Sequence, residues 1–133
     1  MAGETNLAQL IKGMVPKQND GEYVFSTLTD LSAVRREDTL CEFKEEEGTT
    51  VVLAREKADK LGLPYDYVAS WITLTIHSSL EAVGLTAAFS NELAKHNISC
   101  NVIAAYYHDH IFVDRKDGEK ALRVLTAFTQ SYQ

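Results

Sequence analysis

Helix-like and strand-like periodicities alternate along the chain, and they predict an α+β fold: antiparallel sheets with helices on one face. Three observations carry that prediction. The 133 residues are 45% hydrophobic and 24% charged, a balance that suits one compact domain or two small, tightly packed subdomains rather than a disordered chain. Apolar residues recur at helical spacing in some stretches and alternate strictly in others. The stretches also repeat in order without repeating in sequence. The first half runs helix, strand, hairpin, helix, and the second runs strand, helix, two strands, helix.

Asn6 to Met14 has Leu7, Leu10, Ile11 and Met14 at helical spacing, and Pro16 ends the helix. Asp20-Gly21 signals a turn. Tyr23 to Leu28 is aromatic and β-branched, which predicts a strand. The polar stretch Asp30 to Asp38 predicts a loop. Leu40 to Glu46 and Thr49 to Leu53 form a hairpin around Glu47-Gly48. Arg55 to Leu61 is a short helix stopped by Gly62. Leu63-Pro64 then breaks the chain, so residues 1–64 form one half and 65–133 the other.

Tyr65 to His77 is long for a strand, which typically has about 5–6 residues. Within it Ile72, Leu74 and Ile76 alternate with Trp71, Thr73, Thr75 and His77, so at least Trp71 to His77 is extended. Leu80 to His96 follows as the main helix, with Leu85, Ala88, Phe89 and Leu93 as its apolar stripe. Ser99 to Tyr107 and Ile111 to Val113 are strands joined by a tight turn at His108-Asp109. Gly118 to Tyr132 closes the chain as a helix. On Ser99 to Tyr107 both faces are largely apolar, so the second face is expected to be covered by the other half of the chain or by a second copy.

The formal net charge of −6 argues against nucleic-acid binding, which needs clustered Lys and Arg to neutralise phosphates. No apolar run of about 18 residues predicts a membrane span. Met1 to Leu10 lacks the pattern of a signal peptide. With only Cys41 and Cys100, these features predict a cytoplasmic protein whose cysteines act as small buried hydrophobes.

The tract from His77 to Thr86 joins a strand to a helix and is the most informative stretch. Ser78 and Glu81 have the spacing of a capping box, in which the two side chains satisfy free backbone N–H groups. The helix alternatively begins near Val83-Gly84, which leaves Ser78 to Val83 as a polar loop. Gly84 inside a helix costs about 1 kcal/mol relative to alanine. At a helix start it permits close approach of a ligand to N–H groups that attract carboxylates and phosphates. A capped helix and nothing more is the rival reading.

The strand, the Gly84-Leu-Thr-Ala-Ala-Phe-Ser-Asn-Glu-Leu helix, the Asn97-Ile98 turn and the strand at His110-Ile-Phe-Val113 together resemble an ACT domain. The whole chain is similar to small paired-ACT proteins of uncharacterised role, in which a variant half precedes a more regular one. The resemblance implies two ferredoxin-like α/β sandwich subdomains. It also implies a regulatory module that binds a small molecule, an amino acid above all. Its ligand contacts fall on His77, Ser78, Ser79, Leu80, Glu81, Val83, Gly84, Leu85 and Thr86, and on Asn101 and Val102 of the facing strand. His77 stands where the family often has an aspartate. No final strand follows the last helix, and a segment 65–77 that serves both halves would supply one.

Other constellations point to blander roles. His108, Asp109 and His110 with His77 suggest a metal site, but they flank a turn and lack a third ligand of diagnostic spacing. Glu45, Glu46 and Glu47 offer oxygen ligands, yet like charges at a hairpin tip prefer water. Tyr106 and Tyr107 suit packing more than a pocket. There is no P-loop, G-x-S-x-G elbow or H-E-x-x-H helix, and His77 beside Ser78 and Ser79 does not assure a nucleophile–base geometry. The sequence therefore predicts no catalytic residues, metal ligands or cofactor. It predicts a ligand-binding, homodimeric regulatory protein, or alternatively a structural protein that dimerises through its sheet with no ligand.

Overall fold

The computed structural model describes residues 6–76 and 82–132. In chain order the elements are α1 (Leu7–Gly13), β1 (Val15–Gln18), β2 (Tyr23–Leu28), β3 (Thr39–Lys44), β4 (Thr49–Ala54), α2 (Arg55–Leu61), β5 (Val68–Thr75), α3 (Leu85–Lys95), β6 (Asn101–Ala104), β7 (Asp109–Asp114) and α4 (Gly118–Ser131). They fall into two compact units. One is Asp20–Ala69, and the other joins Met1–Asn19 to Ser70–Gln133.

In the Asp20–Ala69 unit the strand order is β3-β4-β2, and β2 then pairs with the first two residues of β5 through Tyr23↔Ala69 and Val24↔Val68. All pairings are antiparallel. Alternation buries Val24 and Leu28 of β2 against Val51 and Leu53 of β4 and Ala58 of α2. The segment between β2 and β3 has no α-helix. It forms two short 3₁₀ turns, Leu31–Ala33 and Arg36–Asp38, and Leu31 and Val34 pack on the core in a helix's place. Gly62 ends α2 with φ +68, while Leu63 N–H donates to Ala58 O at 2.9 Å. That is the glycine stop expected from the sequence.

In the other unit the strand order is β6-β7-β5, with β1 antiparallel to β5 on its other side through Val15↔Thr75 to Gln18↔Ile72. β1 supplies the fourth strand of this sheet. Its exposure alternates without an apolar face, and Pro16 offers no N–H, so neither hydrophobic periodicity nor propensity marks it. Ile72, Leu74, Ile111 and Val113 face one way and meet Leu85, Phe89 and Leu93 of α3, Ala121 and Leu125 of α4, and Leu10 and Ile11 of α1.

Three boundaries differ from the sequence expectations. α3 begins at Leu85 rather than Leu80, because Gly84 adopts φ +94, a left-handed conformation incompatible with a continuing helix. The tight turn spans residues 105–108, closed by Ala105 N–H to His108 O at 3.1 Å, so Asp109 and His110 lie on β7 rather than in the turn. β6 starts at Asn101 because the preceding residues finish α3. Asn97 has φ +61, and Ile98 N–H donates to Leu93 O at 3.0 Å, a left-handed helix terminus that seats Ile98 in the core.

Candidate functional site

The predicted ligand loop is described only at its helical end. His77, Ser78, Ser79, Leu80 and Glu81 lie outside the described residues, and so does the capping box. Val83 is exposed, Leu85 is buried in the core, and Thr86 is exposed on the first turn of α3. Gly84 is the N-cap of α3 and carries no side-chain cap. The first intrahelical bond runs from Ala88 N–H to Gly84 O at 2.9 Å, so the N–H groups of Leu85, Thr86 and Ala87 have no partner inside the helix. They form the positive end of an eleven-residue helix dipole. Leu7 of α1 lies alongside, 3.4 Å from where a Gly84 Cβ would stand.

Asn101 and Val102 are separated by the pleat of β6. Val102 opposes Ile111 and faces the helices, whereas Asn101 opposes Phe112, faces the other way and donates from Nδ2 to Phe112 O at 3.4 Å. Ala104, opposite Asp109, is the β6 residue next to the turn. Asn101 stands three residues further, about 10 Å at strand spacing. The fold therefore brings Gly84, Leu85, Thr86 and the start of β7 toward one end of the sheet and sets Asn101 toward the other.

Sequence reasoning missed a polar network on the sheet face opposite the helices. Trp71 Nε1 donates to His110 Nδ1 at 3.0 Å, and Thr73 Oγ1 lies 3.2 Å from the same nitrogen. Asn19 Nδ2 donates to Thr73 Oγ1 at 3.0 Å and to Trp71 O at 3.3 Å. An indole N–H only donates, so His110 Nδ1 is unprotonated and the ring carries its proton on Nε2. Burial, and secondarily His108, hold the His110 pKa below the ordinary histidine value. A histidine held neutral by the fold stabilises fully above its unfolded pKa of about 6.5. That contribution is lost as pH falls from there through the lower folded value, because the unfolded state takes the proton first. Denaturant unfolding between pH 8 and 5 is expected to show a loss of stability in the native chain that is smaller in His110→Gln, whose amide oxygen accepts from Trp71 without titrating. Equal losses in both proteins would contradict this assignment.

One ACT domain family model matches residues 2–70, and a second matches residues 67–127. The chain belongs to the ACT domain family. Membership makes it a regulatory, ligand-binding module in general. No curated protein matches the sequence. Among solved structures it is similar to a protein of unknown function from Vibrio cholerae, described as a possible transport protein. The two are 49% identical, the match covers 93% of this chain and 96% of that one, and the TM-score is 0.84. The ligand-free regulatory subunit of aspartate kinase from Thermus thermophilus is 6% identical, with 85% and 95% coverage and a TM-score of 0.61. The allosteric aspartate kinase of Clostridium acetobutylicum is 13% identical. The match covers 87% of this chain and 34% of that enzyme, with a TM-score of 0.61. The last two likenesses are of fold.

The remaining candidates take plain structural places in this ACT chain. Tyr106 and Tyr107 belong neither to a strand nor to the core. They sit in the 105–108 turn, 74% and 70% exposed, with their rings edge to face. Among the described residues no trio of His, Cys, Asp or Glu is placed to hold a metal ion. Glu45 accepts from Thr50 Oγ1 at the exposed hairpin tip. Both cysteines are free and half-buried. Burial pushes the Cys100 thiol up to about 11 and raises that of Cys41, so both stay protonated. In the Asp20–Ala69 unit, Arg55 donates to Tyr65 OH at 3.0 Å and to Glu22 at 2.9 Å, and Tyr65 donates to Asp59 at 2.7 Å. These bonds border a cleft of about 620 Å³. They commit the Arg55 guanidinium to Glu22, just before β2, and to Tyr65, in the loop after α2. Among the described residues no helix is long and apolar enough to cross a membrane.

Proposed function

We propose that this chain is a non-enzymatic regulatory module that binds an amino acid at residues 77–86. The ligand's carboxylate meets the N–H groups of Leu85, Thr86 and Ala87, which have no partner inside the helix. Glu81, within the same loop, is placed by the sequence to receive its amine. The observation that carries this reading is the α3 N-terminus. An eleven-residue helix begins at a left-handed glycine with no capping side chain, which leaves backbone donors and a positive dipole end for an anion. Binding there would favour one arrangement of the chain or of its assembly, the differential interaction that regulation requires.

A second copy of the chain is the expected partner in that assembly. Among the described residues β6 has β7 on one side and no strand on the other, and it carries no charged residue and no proline to discourage pairing. Asn101 and Ala104 are exposed and Val102 and Ile103 half-buried, so a single chain covers neither face of β6 fully.

A thermal-shift screen with the twenty amino acids, run at several protein concentrations, tests both readings. A rise in melting temperature with at least one amino acid is expected, and Thr86→Trp, which fills the space before the first turn of α3, is expected to abolish it. Gly84 is a poorer site for that substitution, because a side chain at φ +94 is strained whatever space surrounds it. Absence of any amino-acid shift, with a melting point that rises with protein concentration, would favour a purely structural dimer instead.

A further inference from the structure

The polar network around His110 has two self-consistent arrangements, and one proton separates them. His110 and Phe112 alternate on β7 with Ile111 and Val113, so they lie on the face opposite α3 and α4. Trp71 of β5 stacks on Phe112, with ring centroids 6.3 Å apart and planes 16° from parallel, and its centroid is 5.7 Å from that of His110. Thr73, also on β5, is buried and accepts from Asn19 Nδ2. Its own O–H is therefore left to donate to His110 Nδ1, 3.2 Å away. In the neutral ring Nδ1 accepts from Trp71 and Thr73 together.

Protonation changes which partner the ring can keep. A hydrogen on Nδ1 turns that nitrogen into a donor. An indole N–H only donates, so the 3.0 Å bond from Trp71 becomes a contact between two donors. Thr73 Oγ1 is different, because a hydroxyl oxygen has two lone pairs and accepts what it formerly gave. One proton taken from solvent therefore breaks the Trp71 bond and reverses the Thr73 bond, while the ring stays in place. The ionisable groups near this face are few among the described residues. Val68–Thr75 of β5 and Asn101–Ala104 of β6 carry none. On β7, His108 and Asp114 share the face of His110, and Asp109 lies on the other. Asp114 accepts from Lys116 N–H at 3.0 Å. Lys17 of β1 stands opposite Thr73, and the Tyr107 ring lies 6.5 Å from that of His108. Burial and the neighbouring His108 both disfavour the His110 cation, so the change of partner falls below the ordinary histidine value of about 6.5.

We propose that His110 is a proton-operated switch, which holds the Trp71 indole on the sheet face when neutral and releases it when protonated, with Thr73 taking over the ring. The inference goes beyond the ligand reading and stands without it, since it uses the opposite face of the sheet and none of the residues assigned to the amino acid. Its consequence is a surface that depends on pH. Release of the indole removes a stacked cover from Phe112, which is only 2% exposed. A histidine is suited to this task because its protonation lies nearer to neutrality than that of any other side chain.

Trp71 is the single tryptophan of the chain, so its fluorescence reads the switch directly. The full-length native chain is titrated from pH 8 to 4.5 while indole emission, its quenching by acrylamide and far-ultraviolet circular dichroism are followed. A one-proton transition is expected, centred below about 6.5. Through it the emission moves to the red and acrylamide quenching rises, with the circular dichroism unchanged. In His110→Gln both changes are expected to vanish, because the amide oxygen accepts from Trp71 at every pH. In His108→Gln they are expected to persist with a higher midpoint, because the neighbouring charge that opposes protonation is gone. Dimming of the emission with no red shift would mean that the imidazolium quenches an indole that has not moved, and would overturn the release. A transition that survives in His110→Gln, one that coincides with loss of circular dichroism, or none at all in this range would overturn it too. Should His110→Gln fail to fold, the native chain still decides by nuclear magnetic resonance. The His110 ring and Trp71 indole N–H signals must titrate with one midpoint, and separate midpoints would refute the switch.

Discussion

Phe89→Ala is expected to lower the unfolding free energy by about 3–5 kcal/mol, the range for removing a buried aromatic ring. Phe89 is fully buried at the middle of α3. It belongs to the cluster that joins Leu10 and Ile11 of α1, Ile72 and Leu74 of β5, and Ala121 and Leu125 of α4. Side chains of α1, β5 and α4 therefore share one core with α3. The cavity cannot close unless α3 moves, because the strands beneath it are held by ladders and α4 is held by its own leucines. Propensity works the other way, since alanine is the better helix former by a few tenths of a kcal/mol. That gain is an order of magnitude smaller than the packing loss. Chemical denaturation should show a lower midpoint with an unchanged slope. A loss below about 1 kcal/mol would mean that α3 is not seated as described. On the proposed reading, in which the first turn of α3 meets the ligand's carboxylate, the substitution is also expected to weaken ligand binding without touching the ligand.

Gly118→Ala is expected to destabilise by about 1–3 kcal/mol, the cost of overpacking a filled site. A Cβ at this position would stand 2.6 Å from Ser70 Oγ, 2.8 Å from Gln18 Nε2 and 2.9 Å from Ser70 Cβ. The first two atoms can swing away, but Ser70 Cβ moves only with β5. Gly118 is the first residue of α4 and is buried where that helix crosses β1 and β5. Ordinarily glycine to alanine in a helix gains up to about 1 kcal/mol, and the gain is smaller at a terminus, so the contact decides the sign. A double-mutant cycle with Ser70→Gly isolates the clash. The two changes should be less harmful together than their sum, by roughly 1 kcal/mol or more. Additive effects would refute close packing of α4 on β5.

Most local elements follow from local chemistry. Tyr23–Leu28 and Arg55–Leu61 have in the structure the boundaries read from the sequence. In each case a periodic apolar pattern meets a residue that can do little else, such as Gly62 at its left-handed stop. The Asn97-Ile98 turn was legible for the same reason. β1 was not, because a short edge strand with Pro16 and alternating exposure leaves no hydrophobic signature. It exists because β5 offers it a ladder, which is a tertiary cause.

The candidate site divides along the same line. The sequence marked Gly84 as the place where a backbone approaches a ligand, since a glycine between a strand and an apolar helical stripe suits a backbone that turns left-handed or is closely approached. Whether that glycine sat inside the helix or before it depended on a φ value that composition does not encode. Asp109 looked like a turn residue between two histidines. Its placement on β7, facing the helices and nearly out of water, depended on where a hairpin turned, and a shift of one residue reverses which face a strand side chain occupies. By itself the sequence determined an ACT-type α+β chain with a glycine-led helix start. Only the tertiary structure decided that β1 completes the C-terminal sheet and that Trp71 meets His110 across it. Both depend on pairings between residues far apart in the chain, which no local pattern carries.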